Sequence, residues 1–303
     1  MDSFICMFLV RRIMPFEEFA EHIRESLESL IEQGQKVTLQ TIEKNNGTKY
    51  QGIVIIDPIL NISPTIYLEP FYLKYLNGTT TSDLCKEILS FYQKFTPEEC
   101  FDESIFTDFE KAKHRIIMKL VNFEKNVELL RKVPYIPYMD LAIVFVCSAG
   151  DLDKEYATIL IHNHHMDYWK IDLLTLYNIA KENTPKLLPY YFENMEDYLI
   201  HHCNWKPCED HLPMYLLTNH LKIHGASVIL YEGLLEQIAK ELNSSYVVIP
   251  SSVHEVLIVP VQNKKELQTY SNMVLEVNAT QLPEDEILSN HAYYYSKKYH
   301  VLS

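Results

Sequence analysis

Apolar residues at Phe16, Phe19, Ile23, Leu27, Leu30 and Ile31 recur every three or four positions, the spacing of one helix face. Pro15 suits the first turn of that helix, Glu17 and Glu18 suit its positive end, and Gly34 stops it near Gln33. The period then drops to two. Val37–Lys44 and Tyr50–Ile56 read as strands, joined by Asn45-Asn46-Gly47, residues that accept the positive φ of a hairpin turn. Thr65–Leu68 reads as a short strand, Pro70–Leu76 as a helical segment, and Ser82–Phe95 as a helix with Ser82 as its N-cap. Thr96-Pro97-Glu98-Glu99 reads as a junction between two lobes.

Beyond the junction, residues 102–113 are acidic and predicted helical. Ile116–Val121 is a strand, and Asn122–Lys132 a helix capped by Asn122. Pro134 and Pro137 interrupt the backbone. Leu141–Cys147 is a near-continuous apolar run, hence a central strand, with Ala157–His162 as its hairpin partner. A helix over Leu173–Glu182 follows, then loops and a short helix to Pro213, then a strand at Tyr215–Leu217. The clearest pattern lies in 225–260. Ala226–Tyr231 is a short apolar, β-rich run opened by Gly225. Leu234, Leu235, Ile238, Ala239 and Leu242 mark a helix, and Tyr246–Pro250 and Val253–Pro260 two further strands. Both alternating sets in the last strand are mostly apolar, so it is expected to be covered on both faces. Lys264–Asn278 reads as a helix and Ala292–Ser296 as a short strand. The sum is an α+β protein with mixed or antiparallel sheets flanked by helices. It has two lobes, 14–97 and 98–303, the second with a mixed sheet, after a dispensable extension over 1–13.

Composition narrows the class. A chain of 303 residues buries roughly 75% of its unfolded surface and needs no metal or disulfide for stability. Only 7 residues are glycine, and no glycine-rich phosphate loop is present, so no nucleotide cofactor is expected. The formal net charge of -14 disfavours nucleic acid and anionic membrane as partners. The run Phe4–Val10 is too short to span a bilayer, and Asp2 and Arg11-Arg12 put the charges in the wrong order for a signal peptide. Six scattered cysteines suit a reduced, cytoplasmic setting.

Four segments share a wording. N-N-G-x-K-Y-x-G at 45–52, N-I-S-P-T-I-Y-L-E-P-F-Y at 61–72, D-L-A-I-V-F at 140–145 and P-S-S-V-H-E-V-L-I-V-P at 250–260 resemble, in that order, an uncharacterised bacterial family. It is a domain of unknown function met in gut bacteria and their mobile genetic elements, and the resemblance spans Met14 to about Tyr295. It implies a bacterial accessory protein and carries over no cofactor and no catalytic residue.

Three places hold candidate chemistry. His202, Cys203, Cys208 and His211 could offer zinc its tetrahedral ligands, although Cys-x4-Cys followed by two residues and a His is no standard spacing. A polar loop over the core is the competing reading. Ser251, Ser252, His254 and Glu255 contain the residue types of a hydrolase triad. On a strand, however, Ser252 and His254 share one face while Glu255 points away, and no G-x-S-x-G elbow is present. A turn in which the serines satisfy backbone groups competes there, with ligand contact as a third possibility. Glu69, with Asp57 and Glu43, could supply carboxylates to a cleft in the first lobe, or Glu69 could serve only as a helix-start acid. The tyrosines at 190–191 and 293–295 suit a partner surface or a core edge. The reading that follows is a non-enzymatic cytoplasmic binding or interaction protein of a bacterial accessory or mobile-element system, with an unidentified protein as a candidate partner and no cofactor. The alternative is a hydrolase or metal-dependent enzyme acting near 201–211 or 251–255.

Overall fold

The computed structural model describes residues 13–97, 100, 102–149, 158–203 and 213–303. Two compact units emerge. One comprises Lys49–Asp102 with the described residues up to Lys44, and the other Asn45–Thr48 with Glu103–Ser303. The expected extension over 1–13 lies, except for the exposed Ile13, outside the described residues.

In the first unit, α1 (Phe16–Glu28) buries Phe19, Ala20, Ile23 and Leu27 at three- and four-residue intervals and ends a turn earlier than its pattern suggests. Strands β1 (Lys36–Glu43) and β2 (Lys49–Ile56) form the expected hairpin, pairing Thr41 with Gln51 and Glu43 with Lys49. Strand β3 (Thr65–Tyr67) pairs antiparallel with β2. Gly52 is required at that crossing, since a Cβ there would lie 2.4 Å from the Thr65 methyl. Helices α2 (Glu69–Leu76) and α3 (Thr81–Phe95) complete the unit. The N-cap of α3 is Thr80, not Ser82: the Thr80 hydroxyl accepts from the Asp83 N–H. Phe19, Ile23, Leu27, Ile53, Ile55, Leu68, Leu84 and Ile88 form a fully buried core.

The second unit holds two sheets. Strands β4 (Ile116–Asn122), β5 (Tyr135–Tyr138), β6 (Leu141–Ser148) and β7 (Thr158–Leu160) form one. In it β6 is buried along its whole length, with β4 on one side and β5 and β7 on the other. Pro137 sits in β5, a strand that among the described residues pairs only with β6, where a missing N–H is tolerated. The second sheet runs β13-β12-β10-β11-β9-β8. Its strands are β8 (Tyr190–Asn194), β9 (Tyr215–Asn219), β10 (Ser245–Pro250), β11 (Val256–Val261), β12 (Tyr293–Ser296) and β13 (Val301–Leu302). Every strand pairing among the described residues is antiparallel, so the fold is α+β with antiparallel rather than mixed sheets.

One face of each sheet feeds a shared core. Met118, Ile143 and Phe145 come from the first, and Tyr246, Val248, Val256 and Ile258 from the second. The other face of the second sheet, with Val247, Val259 and Val261, packs on Tyr270 and Val274 of the helix Leu267–Thr280. Strands β10 and β11 are therefore covered on both sides, as their continuous apolar pattern requires.

Other elements also depart from the expected pattern. Gly225–Leu230 is a 3-10 helix, not a strand. An apolar run without alternation fits either element, and Gly225 decides. Its α-carbon lies so close to Thr218 and His254 that a Cβ would stand 2.0 Å from the Thr218 hydroxyl and 2.3 Å from the His254 carbonyl oxygen. The helix Leu173–Leu187 continues past Glu182 through Pro185. Thr184 holds that end: it is fully buried, donates to the Ala180 carbonyl, and accepts from the Met118 N–H at 2.9 Å. A further helix, Asn163–Trp169, begins where the His165 Nδ1 accepts from the His162 N–H at 2.9 Å.

Candidate functional site

The turn between β10 and β11 gathers Ser251, Ser252, His254 and Glu255. The Ser252 hydroxyl accepts from the His254 backbone N–H at 3.0 Å, and the Ser252 N–H donates to the Glu255 carbonyl. The Ser251 hydroxyl donates to the Glu255 carboxylate at 3.4 Å. The imidazole of His254 lies parallel to that of His224 at 5.7 Å, and its Nδ1 accepts from the His224 N–H at 3.2 Å. That bond fixes the proton of neutral His254 on Nε2. Burial lowers the His254 pKa, and Lys119 lowers it further, against the opposing pull of Glu286 and Glu255. The serine hydroxyls therefore engage the backbone and the carboxylate of their own turn, while the imidazole engages His224. His224 itself has a left-handed backbone, φ 51°, and nothing in the sequence pattern marks it.

His202 and Cys203 end the helix Met195–Cys203 and are exposed, beside His201. Cys208 and His211 lie outside the described residues. Cys85, Cys100, Cys147 and Cys203 are free thiols. Among the described residues, no three His, Cys, Asp or Glu side chains are placed to hold a metal ion together. Close by is a cluster that the sequence pattern does not reveal. Tyr191 donates to Glu193, and this carboxylate pushes the tyrosine up to about 12. His201 approaches the same carboxylate at 3.4 Å. Lys222 donates to the Tyr198 hydroxyl at 3.0 Å and stands 4.4 Å from the centre of its ring. Tyr293 and Tyr295 are buried in the shared core, so these two tyrosines form core rather than surface.

The first unit contains a cleft of about 380 Å³, a size suited to a small ligand. Its construction follows from strand alternation. Val37, Leu39 and Thr41 on β1 share a face with Ile55, Ile53, Gln51 and Lys49 on β2. That face is core at Val37, Ile53 and Ile55 and turns polar toward the hairpin turn. There Phe16 and Glu17 of α1 close the opposite wall. Gln51 Nε2 donates to the Thr41 hydroxyl at 3.1 Å.

Glu69 also lines this cleft. Its Oε1 accepts from the Gln51 N–H at 2.8 Å, extending the edge of β2 beside the bond from the Leu68 N–H to the Gln51 carbonyl. Its Oε2 is buried and has no hydrogen-bond partner among the described residues. Such an acceptor costs about 1–3 kcal/mol, and more when charged. Glu69 is thus more than a helix-start acid: one oxygen orders a strand and the other is enclosed by the fold. Glu43 and Asp57 are not among the lining residues. Asp57 instead accepts from Gln35 and from the Ile59 N–H, which lower its pKa.

No helix among the described residues is long and apolar enough to cross a membrane. No curated protein and no solved structure matches the sequence. The model of one family of unknown function, DUF5688, matches residues 16–297, and the chain belongs to that family.

Proposed function

We propose that the protein is a non-enzymatic binding protein whose ligand site is the cleft between α1 and the β1–β2 hairpin. The observation that carries this reading is Glu69. It is a carboxylate side chain in the lining of a small cleft, fixed by a backbone N–H on one oxygen, its other oxygen buried without a hydrogen-bond partner among the described residues. Binding sites combine apolar surface with a few fixed polar groups, and Phe16 and Leu39 supply the apolar part. The reading extends to a cytoplasmic role in a bacterial accessory or mobile-element system. Free thiols and an acidic surface suit that setting, as does the shared wording of the four segments.

The experiment is a thermal-shift screen of small ligands with the wild type and Thr41→Trp, which fills the cleft from an exposed strand position. Ligands that raise the melting temperature of the wild type should lose that effect in the variant. The same preparation should not turn over ester, peptide or phosphodiester substrates. Turnover abolished by Ser252→Ala or His254→Ala would overturn the binding reading in favour of a hydrolase at 251–255.

A further inference from the structure

We infer that a groove in the second unit, along the helix Leu267–Thr280, docks a short segment of a partner protein in which carboxylates flank apolar side chains. The inference uses neither Glu69 nor its cleft and goes beyond that reading.

Lys264, Gln268, Ser271 and Leu275 recur at intervals of four, three and four residues. They share one helix face over roughly 16 Å, at 1.5 Å per residue. The segment 290–292 forms the facing wall, and two contacts pin it. The Ala292 N–H donates to the Ser271 hydroxyl at 3.1 Å. Asn278 Nδ2 donates to the Ser289 carbonyl at 2.8 Å and to Asn290 Oδ1 at 3.1 Å. Between these walls lies a groove of about 530 Å³. Its walls are already fixed to each other, so docking requires little ordering of the protein.

Three features select the occupant. The first is charge. Acidic residues outnumber basic ones by 41 to 27 in this chain, and Lys113, Lys125, Lys181, Lys186 and Lys240 each meet a glutamate. Lys264 and Lys265 are exposed, and neither meets a carboxylate among the described residues; Lys264 donates instead to the Ser303 hydroxyl at 3.0 Å. None of the described residues lining the groove is acidic. Glu266, next along the chain, turns its carboxylate back onto the Gln262 and Asn263 N–H groups. The remaining basic group of the lining, His291, is faced by Asp140 at 3.6 Å, so the two lysines carry the charge left over. A carboxylate entering the groove meets that charge uncompensated.

The second feature is apolar surface: Leu275 is 50% exposed and lines the groove with Leu267 and Ala292. The third is hydrogen bonding. Gln268 Nε2 donates to Asn272 at 3.0 Å, which leaves the Gln268 oxygen to accept. Asn290 Oδ1 accepts from Asn278, which leaves the Asn290 amino group to donate. A peptide backbone brings the matching N–H and C=O, and an acyl chain brings neither. At about 3.3 Å per extended residue, the face holds about five residues.

The test is a calorimetric titration of the full chain, at low salt, with three capped pentapeptides that differ only in charge. One is Glu-Leu-Ala-Leu-Glu, and the others carry Gln or Lys in place of both Glu. The Glu peptide should bind saturably. The Gln peptide should bind about fivefold more weakly, the scale of two exposed ion pairs, and the Lys peptide more weakly still. Lys264→Gln combined with Lys265→Gln, both at exposed positions, should lower the affinity for the Glu peptide to that for the Gln peptide and leave the melting temperature unchanged. Leu275→Gln should weaken the Glu and Gln peptides alike. Thr41→Trp should change none of these affinities, so this test succeeds or fails independently of the Glu69 cleft. Equal affinity for the three peptides, or no saturable binding of the Glu peptide, would overturn the assignment. So would affinity for the Glu peptide that survives the lysine double variant. Octanoate bound as tightly as the Glu peptide would overturn the peptide class. Self-association of the chain that the lysine double variant abolishes, with the peptides inert, would replace the partner protein by a second copy.

Discussion

His165 couples a backbone bond to a titration. Its Nδ1 accepts the His162 N–H, which requires that nitrogen to be unprotonated. Burial holds the imidazole down to about 4, with help from His164 and His162. Phe106 and Trp169 pack against the ring, and Lys132 adds a positive charge beside His162. The folded pKa lies below the unfolded value of 6.5, so the unfolded chain binds more protons between the two. The contribution to stability is complete above about pH 6.5 and is lost as pH falls toward 4. Melting temperature should therefore drop on acidification through that window. His165→Asn, which offers an oxygen in place of Nδ1 but does not titrate, should flatten the drop. An identical pH profile in the variant would show that His165 does not contribute. At Gly225 the constraint is steric. Gly225→Ala sets a methyl against the Thr218 hydroxyl and the His254 carbonyl and should cost at least about 2 kcal/mol in a denaturant melt. A silent substitution would mean that the 3-10 segment can move away from the turn.

Among the elements, β10 and β11 carry the most packing. Ile258 is fully buried in the shared core, and Ile258→Ala should cost about 2–5 kcal/mol. Leu257 faces the helix Leu267–Thr280 and is only half-buried, so Leu257→Ala should cost less, about 1–2 kcal/mol. Equal losses would contradict the two-sided burial. These strands were legible because each packs apolar residues on both faces. The segment Ala226–Tyr231 was not, since an uninterrupted apolar run has no period to read and a tertiary close approach at Gly225 sets its backbone. Strand β5 was hidden by Pro137, which reads as a breaker until its place beside β6 is known. Strand β8, with Glu193 and Asn194 among its aromatics, has neither period nor apolar run. The cleft was partly legible. Glu69 stood out as a carboxylate between apolar residues, and the inward positions of the hairpin change from Val37, Ile53 and Ile55 to Thr41, Gln51 and Lys49. That change in polarity along one face is the signal of a cleft. The partnering of Glu69 with Gln51 needs the crossing of β2 and β3, which no local pattern encodes.

At the scale of the whole molecule, the first described contacts of the chain are made by Met14. Its N–H donates to the Tyr75 hydroxyl at 3.1 Å and its carbonyl accepts from the Tyr72 hydroxyl at 2.8 Å, while Ile13 is exposed. A chain beginning at Met14 should then melt within about a degree of the full chain, and a loss of several degrees would show that residues 1–13 pack against the fold. The central claim is that the cleft beside Glu69 binds a ligand and that the polar turn at 251–255 serves the fold. The most direct measurement is backbone amide NMR during titration with a ligand that raises the melting temperature in the thermal-shift screen, because the Gln51 N–H donates to Glu69 in the cleft lining and reports on that site. Saturable shifts should centre on Gln51, Phe16, Leu39 and Thr41, with His254 and its neighbours unmoved. Shifts centred on residues 251–255 or on the cluster from Tyr191 to His202, with Gln51 silent, would contradict it.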